Sequence, residues 1–106
     1  MPSQQISQNG TWIRRIHCSW GNASGYRTDV RASLLADPKV KRAAFVLDDG
    51  RAIIVSIEDM RRALANAPRR PNGCVGPYNV DPQHSTLNGV MIPMEIRVIT
   101  VKNRAA

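Results

Sequence analysis

The sequence predicts an α+β fold: one antiparallel sheet of about five strands packed against a single main helix. Three stretches carry that expectation. Residues 43–47 and 51–57 are apolar runs on either side of Asp48-Asp49-Gly50, the pattern of a β-hairpin. Ile57, Met60, Leu64 and Ala67 then recur at helical spacing. Asn88-Gly89, a tight-turn dipeptide, precedes another long apolar run.

At 106 residues the chain has the size of one domain with one core, large enough to fold without disulfides or a structural metal. The domain is expected over 10–102. Residues 1–9, rich in Ser, Gln and Asn, read as a flexible tail, and 103–106 as a short second one.

Taken in order, residues 11–20 read as a strand with Trp12, Ile16, Cys18 and Trp20 on one side, interrupted by Arg14, and Ile13, Arg15 and His17 on the other. After the turn cluster 21–25, Tyr26, Thr28, Val30, Ala32 and Leu34 alternate with polar residues, which suits a hairpin partner for that strand. The composition of 30–36 also suits a short helix, and the strand reading is kept. Asp37-Pro38 has the form of a cap followed by a first-turn proline, although only a turn or two fits before residue 43.

Ser56 and Asp59 form a variant capping box that starts the main helix. Glu58 and Arg62 stand four apart on its solvent side, oriented for an ion pair. The helix is expected to end before Pro68, and the 68–73 segment, with two prolines and a glycine, reads as a connection without regular structure. Residues 78–81 suggest a short strand. Residues 90–101 suggest a long one with Ile92, Met94, Ile96 and Val98 on its inner face, and Pro93 assigns it to an edge or a bulge. No internal repeat or low-complexity tract is present.

Charge is the outlying property. Fifteen Lys and Arg against eight Asp and Glu give +7, and twelve of the fifteen cations are Arg. An Arg-rich surface favours polyanionic partners, because the planar guanidinium matches phosphate or carboxylate with two parallel hydrogen bonds. The leading expectation is a non-enzymatic module that binds nucleic acid or another acidic partner. Its candidate contacts are Arg61, Arg62, Arg69 and Arg70, supported by Arg14 and Arg15, with Trp20 and Tyr26 as platforms for stacked bases. Trp12 and Phe45 read as core.

Two other readings compete. The edge of the 90–101 strand suits pairing with another chain, which makes a homodimer or protein-interaction module the first alternative. Asp81, His84 and Asn88 have the residue content of a small metal-dependent hydrolase or nuclease, the second alternative, and are equally what a turn requires.

No cofactor or metal is expected. His17, Cys18, Cys74 and His84 are zinc-ligating types at spacings that do not make a zinc site. Cys18 and Cys74 read as free thiols, and Asp48 and Asp49 as turn residues. The chain lacks phosphate-loop, dinucleotide and nucleophile-elbow motifs. Residues 1–10 are polar and no apolar run reaches membrane-spanning length, so a cytoplasmic protein of bacterial type, without membrane contact, is the expectation.

Overall fold

A computed structural model of the chain describes residues 5–6, 9–16 and 25–98. The elements are β1 (Gln5–Ile6), β2 (Thr11–Arg15), β3 (Tyr26–Arg31), α1 (Ala32–Ala36), β4 (Arg42–Val46), β5 (Arg51–Ser56), α2 (Ile57–Ala63), β6 (Cys74–Asp81), β7 (Thr86–Leu87), β8 (Val90–Met91) and β9 (Glu95–Val98). The fold is broadly α+β, but mostly β. The expected single antiparallel sheet on one main helix is corrected: the described residues form two sheets, ordered β1-β2-β4-β5-β9 and β3-β6-β7-β8, and two short helices.

The hairpin forms where the β-branched runs require it. Phe45 lies opposite Ile53 and Ala43 opposite Val55, and Leu47 donates its amide to the Arg51 carbonyl at 2.8 Å to close the turn. β2 joins this hairpin in parallel, with Trp12 opposite Ala43 and Arg14 opposite Phe45. The Trp12 and Phe45 rings, both fully buried, meet edge to face with centroids 5.8 Å apart at 82°. The expected hairpin between β2 and β3 does not form. β3 lies in the second sheet, antiparallel to β6, because pairing β2 in parallel with β4 requires a crossover, and β3 with α1 supplies it.

Residues 26–36 are strand and helix in succession, which resolves the ambiguity of their composition. The alternating pattern holds through Arg31, and α1 then buries Leu34 and Leu35. Asp37 ends α1 instead of starting a helix. Its carboxylate accepts the Lys39 amide at 2.9 Å, so Asp37-Pro38 forms a turn.

In α2, Ser56 caps the first turn by accepting the Asp59 amide at 3.1 Å. Regular helix stops at Ala63. Ala65 and Ala67 reach back only three residues, to the Arg62 and Leu64 carbonyls, while Leu64 and Ala67 remain buried. The Glu58–Arg62 pair is replaced by Arg62 with Asp59 at 3.1 Å. That guanidinium, with the Ser56 hydroxyl, holds the Asp59 carboxyl below its ordinary range.

Asn88-Gly89 makes the tight turn between β7 and β8, both residues at positive φ (55° and 78°). The long 90–101 strand is corrected. Val90–Met91 belongs to the second sheet and Glu95–Val98 to the first, with buried Ile92 and the non-donating Pro93 between them. Ile96 and Val98 are therefore exposed instead of lining the core. Residues 78–81 extend into an eight-residue β6.

One core fills the space between the layers. Trp12, Phe45, Ile53 and Val55 of the first sheet meet Val30, Val75, Val80 and Leu87 of the second, and Met60 and Leu64 pack against the same cluster.

Gly10 sets the close approach of the β2 entry to the β4 entry. Its carbonyl accepts the Lys41 amide at 2.7 Å, its φ is +83°, and a Cβ there would lie 2.7 Å from the Lys39 carbonyl oxygen. Gly10→Ala is expected to cost about 1–3 kcal/mol. A lower urea midpoint at unchanged denaturant slope would show it, and an unchanged midpoint would contradict this account of Gly10.

Candidate functional site

The arginines singled out from the sequence have different tasks. Arg14 and Arg15 are neighbours in β2 but point to opposite faces. Arg15 is exposed. Arg14 reaches from the first sheet into the second, where Nε donates to Thr28 Oγ1 and Nη2 to Asp29 Oδ1, both at 3.2 Å. The pair is part-buried, with side chains 23% and 35% exposed. Asp29 sits at the irregularity where the β3–β6 register shifts between Thr28 and Val30. Opposite that irregularity, Gly76 has φ +129°, and a Cβ there would lie 3.1 Å from Asp29 Cβ. The apolar face of β2 is thus interrupted by a tie between the sheets, a role that removes Arg14 from the free cationic surface.

Beside this tie lies Tyr78, opposite Thr28 and nearly fully buried. Its hydroxyl has no hydrogen-bond partner among the described residues. Burial pushes the phenol well above its ordinary range, with Arg14 opposing and Asp29 adding to the shift. Trp12 Nε1 is likewise buried and without a partner among the described residues.

Arg61 and Arg62 serve local structure on α2. Arg61 Nε donates to the Leu35 carbonyl in the last turn of α1, and Arg62 pairs with Asp59. Elsewhere Arg51 pairs with Asp49 at 2.9 Å and Arg97 with Glu95 at 2.7 Å, while Arg42 donates to Thr11 Oγ1 at 3.1 Å.

Arg69 and Arg70 remain free, on a segment more ordered than its prolines suggest. Arg70 donates its amide to the Cys74 carbonyl at 2.8 Å, Arg69 bridges Val75, and Gly76 donates to the Pro68 carbonyl at 2.8 Å. The 68–73 connection folds back along β6 and ends in a turn closed by Gly73 donating to Arg70 at 3.0 Å.

Across β6 from this loop stands β3. Arg31 lies opposite Cys74 and Arg27 opposite Asn79, on the face away from the buried pairs Val30–Val75 and Thr28–Tyr78. Arg31, Cys74 and Arg70 therefore form one row across the second sheet, with Arg27 further along β3 on the same face, whereas Arg69, opposite the buried Val75, is directed to the other side. All four guanidinium groups are exposed, and none has a side-chain hydrogen bond or an acidic partner among the described residues. Arg27 and Arg31 were missing from the sequence-derived set. Their alternation with Thr28 and Val30 marked a polar face, but only the pairing with β6 brings that face to the 68–73 loop.

The remaining candidates do not gather into a reactive centre. Asp81 accepts the Gln83 amide at 3.0 Å and pairs with His84 Nδ1 at 2.7 Å, and the His84 side chain is 65% exposed. Asn88 turns away and donates through Nδ2 to the Ala63 carbonyl at 3.0 Å. Among the described residues no three His, Cys, Asp or Glu side chains converge on a common point. Tyr26 is half-buried against the core. Trp20, His17 and Cys18 lie outside the described residues. An open cleft of about 380 Å³ runs along the first sheet, but Lys41 and Arg42 share it with Asp59 and Glu95, so it has no single charge sign. No helix among the described residues is long and apolar enough to cross a membrane.

Removing the Tyr78 hydroxyl deletes a buried polar group that makes no bond among the described residues. Tyr78→Phe is expected to stabilise the protein by about 1 kcal/mol, whereas Asp29→Ala, which strands the Arg14 charge, should destabilise it by about 1–2 kcal/mol. Thermal melts of the two variants moving in the same direction would contradict the described environment.

Comparison with protein-family models, with curated proteins and with solved structures finds no match to this chain.

Proposed function

We propose that this protein is a non-enzymatic module that binds nucleic acid through the outer face of its second sheet. One observation carries the reading: Arg27, Arg31 and Arg70 stand on one sheet face without acidic partners among the described residues. Unpaired guanidinium groups keep their charge and their forked donors available to a phosphate backbone. The net charge of +7 favours encounter with any polyanion. Arg14 and Arg62, engaged with Asp29 and Asp59, contribute less.

Titrating the protein against labelled single-stranded RNA and DNA at several salt concentrations tests the reading. If all three arginines meet phosphates, log affinity should fall with log salt at a slope of about −2. Arg31→Ala and Arg70→Ala should each weaken binding and make that slope shallower by about 0.7, while Arg62→Ala should change it little. Absence of binding at low salt would overturn the proposal. Equal effects of all three variants would place the contact on another surface.

A further inference from the structure

Among the described residues the first sheet ends in an open edge. β9 is the last strand in the order β1-β2-β4-β5-β9, and all four of its residues are exposed, Ile96 by 43% and Val98 by 80%. Its register with β5 sets Ile96 opposite the fully buried Ile53 and Val98 opposite Arg51, so both apolar side chains continue the core-facing side of the sheet past its cover. Glu95 and Arg97 occupy the other side, joined at 2.7 Å. β9 itself contains no proline and no inward-pointing charge, the usual devices that keep an edge from pairing.

We infer that β9 is a self-recognition edge, which pairs antiparallel with β9 of a second copy of this chain about a two-fold axis at Ile96. The order of residues in the strand selects this occupant. With the axis at Ile96, Glu95 faces the partner's Arg97 and Arg97 faces the partner's Glu95. Ile96 meets the partner's Ile96, and Met94 meets the partner's Val98. Apolar residues thus oppose apolar ones on one side of the joined sheet, and opposite charges oppose each other on the other side.

Neighbouring registers lack this match. An axis at Arg97 sets two guanidinium groups against each other, and an axis at Glu95 sets two carboxylates. A shift of one residue places Ile96 against the partner's Arg97 and exchanges the faces. The surface is separate from the proposed nucleic-acid face, which lies on the other sheet, so each can fail without the other.

Sedimentation equilibrium of the full chain tests the inference with Glu95→Arg, Arg97→Glu and an equimolar mixture of the two variants. Wild type is expected to show a reversible monomer–dimer equilibrium. Each variant alone opposes like charges at both pair positions and should dimerise at least about tenfold more weakly. Their mixture opposes unlike charges at both positions and should recover association close to that of wild type. Circular dichroism of each variant confirms that folding is retained. A wild type that stays monomeric into the millimolar range overturns the inference. So do single variants that dimerise as well as wild type, or a mixture that associates no better than its components.

Discussion

The parallel pairing of β2 with β4 is the constraint on which the architecture depends. Parallel neighbours cannot be joined by a tight turn, so the chain must leave the first sheet after Ile16 and return at Arg42. The intervening segment includes β3 and α1, which place Val30, Leu34 and Leu35 in the core against Trp12 and Phe45. Once β3 occupies that second layer, β6 has an edge to pair with, and β7 and β8 extend it. The Arg14 bond to Asp29 is a polar tie between the layers thus formed, and Gly10 is the point at which the two parallel strands enter side by side.

Much of the local structure was legible in the sequence because it rests on local chemistry. The 42–56 hairpin, the Ser56 cap, the Asn88-Gly89 turn and the buried Trp12 and Phe45 follow from turn residues, capping geometry and β-branched runs that act over a few positions. Pairing partners were not legible. Nothing in residues 11–15 distinguishes a hairpin with 26–31 from a parallel register with 42–46, since both bury Trp12. The apolar alternation of 90–98 reads as one strand because its period does not reveal that Ile92-Pro93-Met94 carries the chain from one sheet to the other. The same limit applied to the site. Adjacent arginines were visible as pairs, whereas the row Arg31–Cys74–Arg70 comes from residues far apart in sequence that the β3–β6 ladder brings together.

The formal charge of +7 therefore divides by structure, not by sequence adjacency. Arg14 and Arg15 are covalent neighbours, yet one holds two sheets together and the other faces solvent. Arg61 and Arg62 are spent in part on the Leu35 carbonyl and on Asp59. Among the described residues Arg27, Arg31 and Arg70 lie together on the outer side of the second sheet without counter-charges, because Asp29, which stands between Arg27 and Arg31 in sequence, is engaged by Arg14.

The order of strands along the chain has a consequence for folding. The chain passes from the first sheet to the second with β3, back with β4 and β5, again to the second with β6, β7 and β8, and returns with β9. Neither sheet is contained in one half of the sequence, and ladders such as β5–β9 and β3–β6 close loops of several tens of residues. Such non-local pairing slows folding, because loop entropy is lost before the contacts that offset it can form. During synthesis the first sheet cannot be completed until residue 98 has left the ribosome, so the domain is built to fold as one cooperative unit and late.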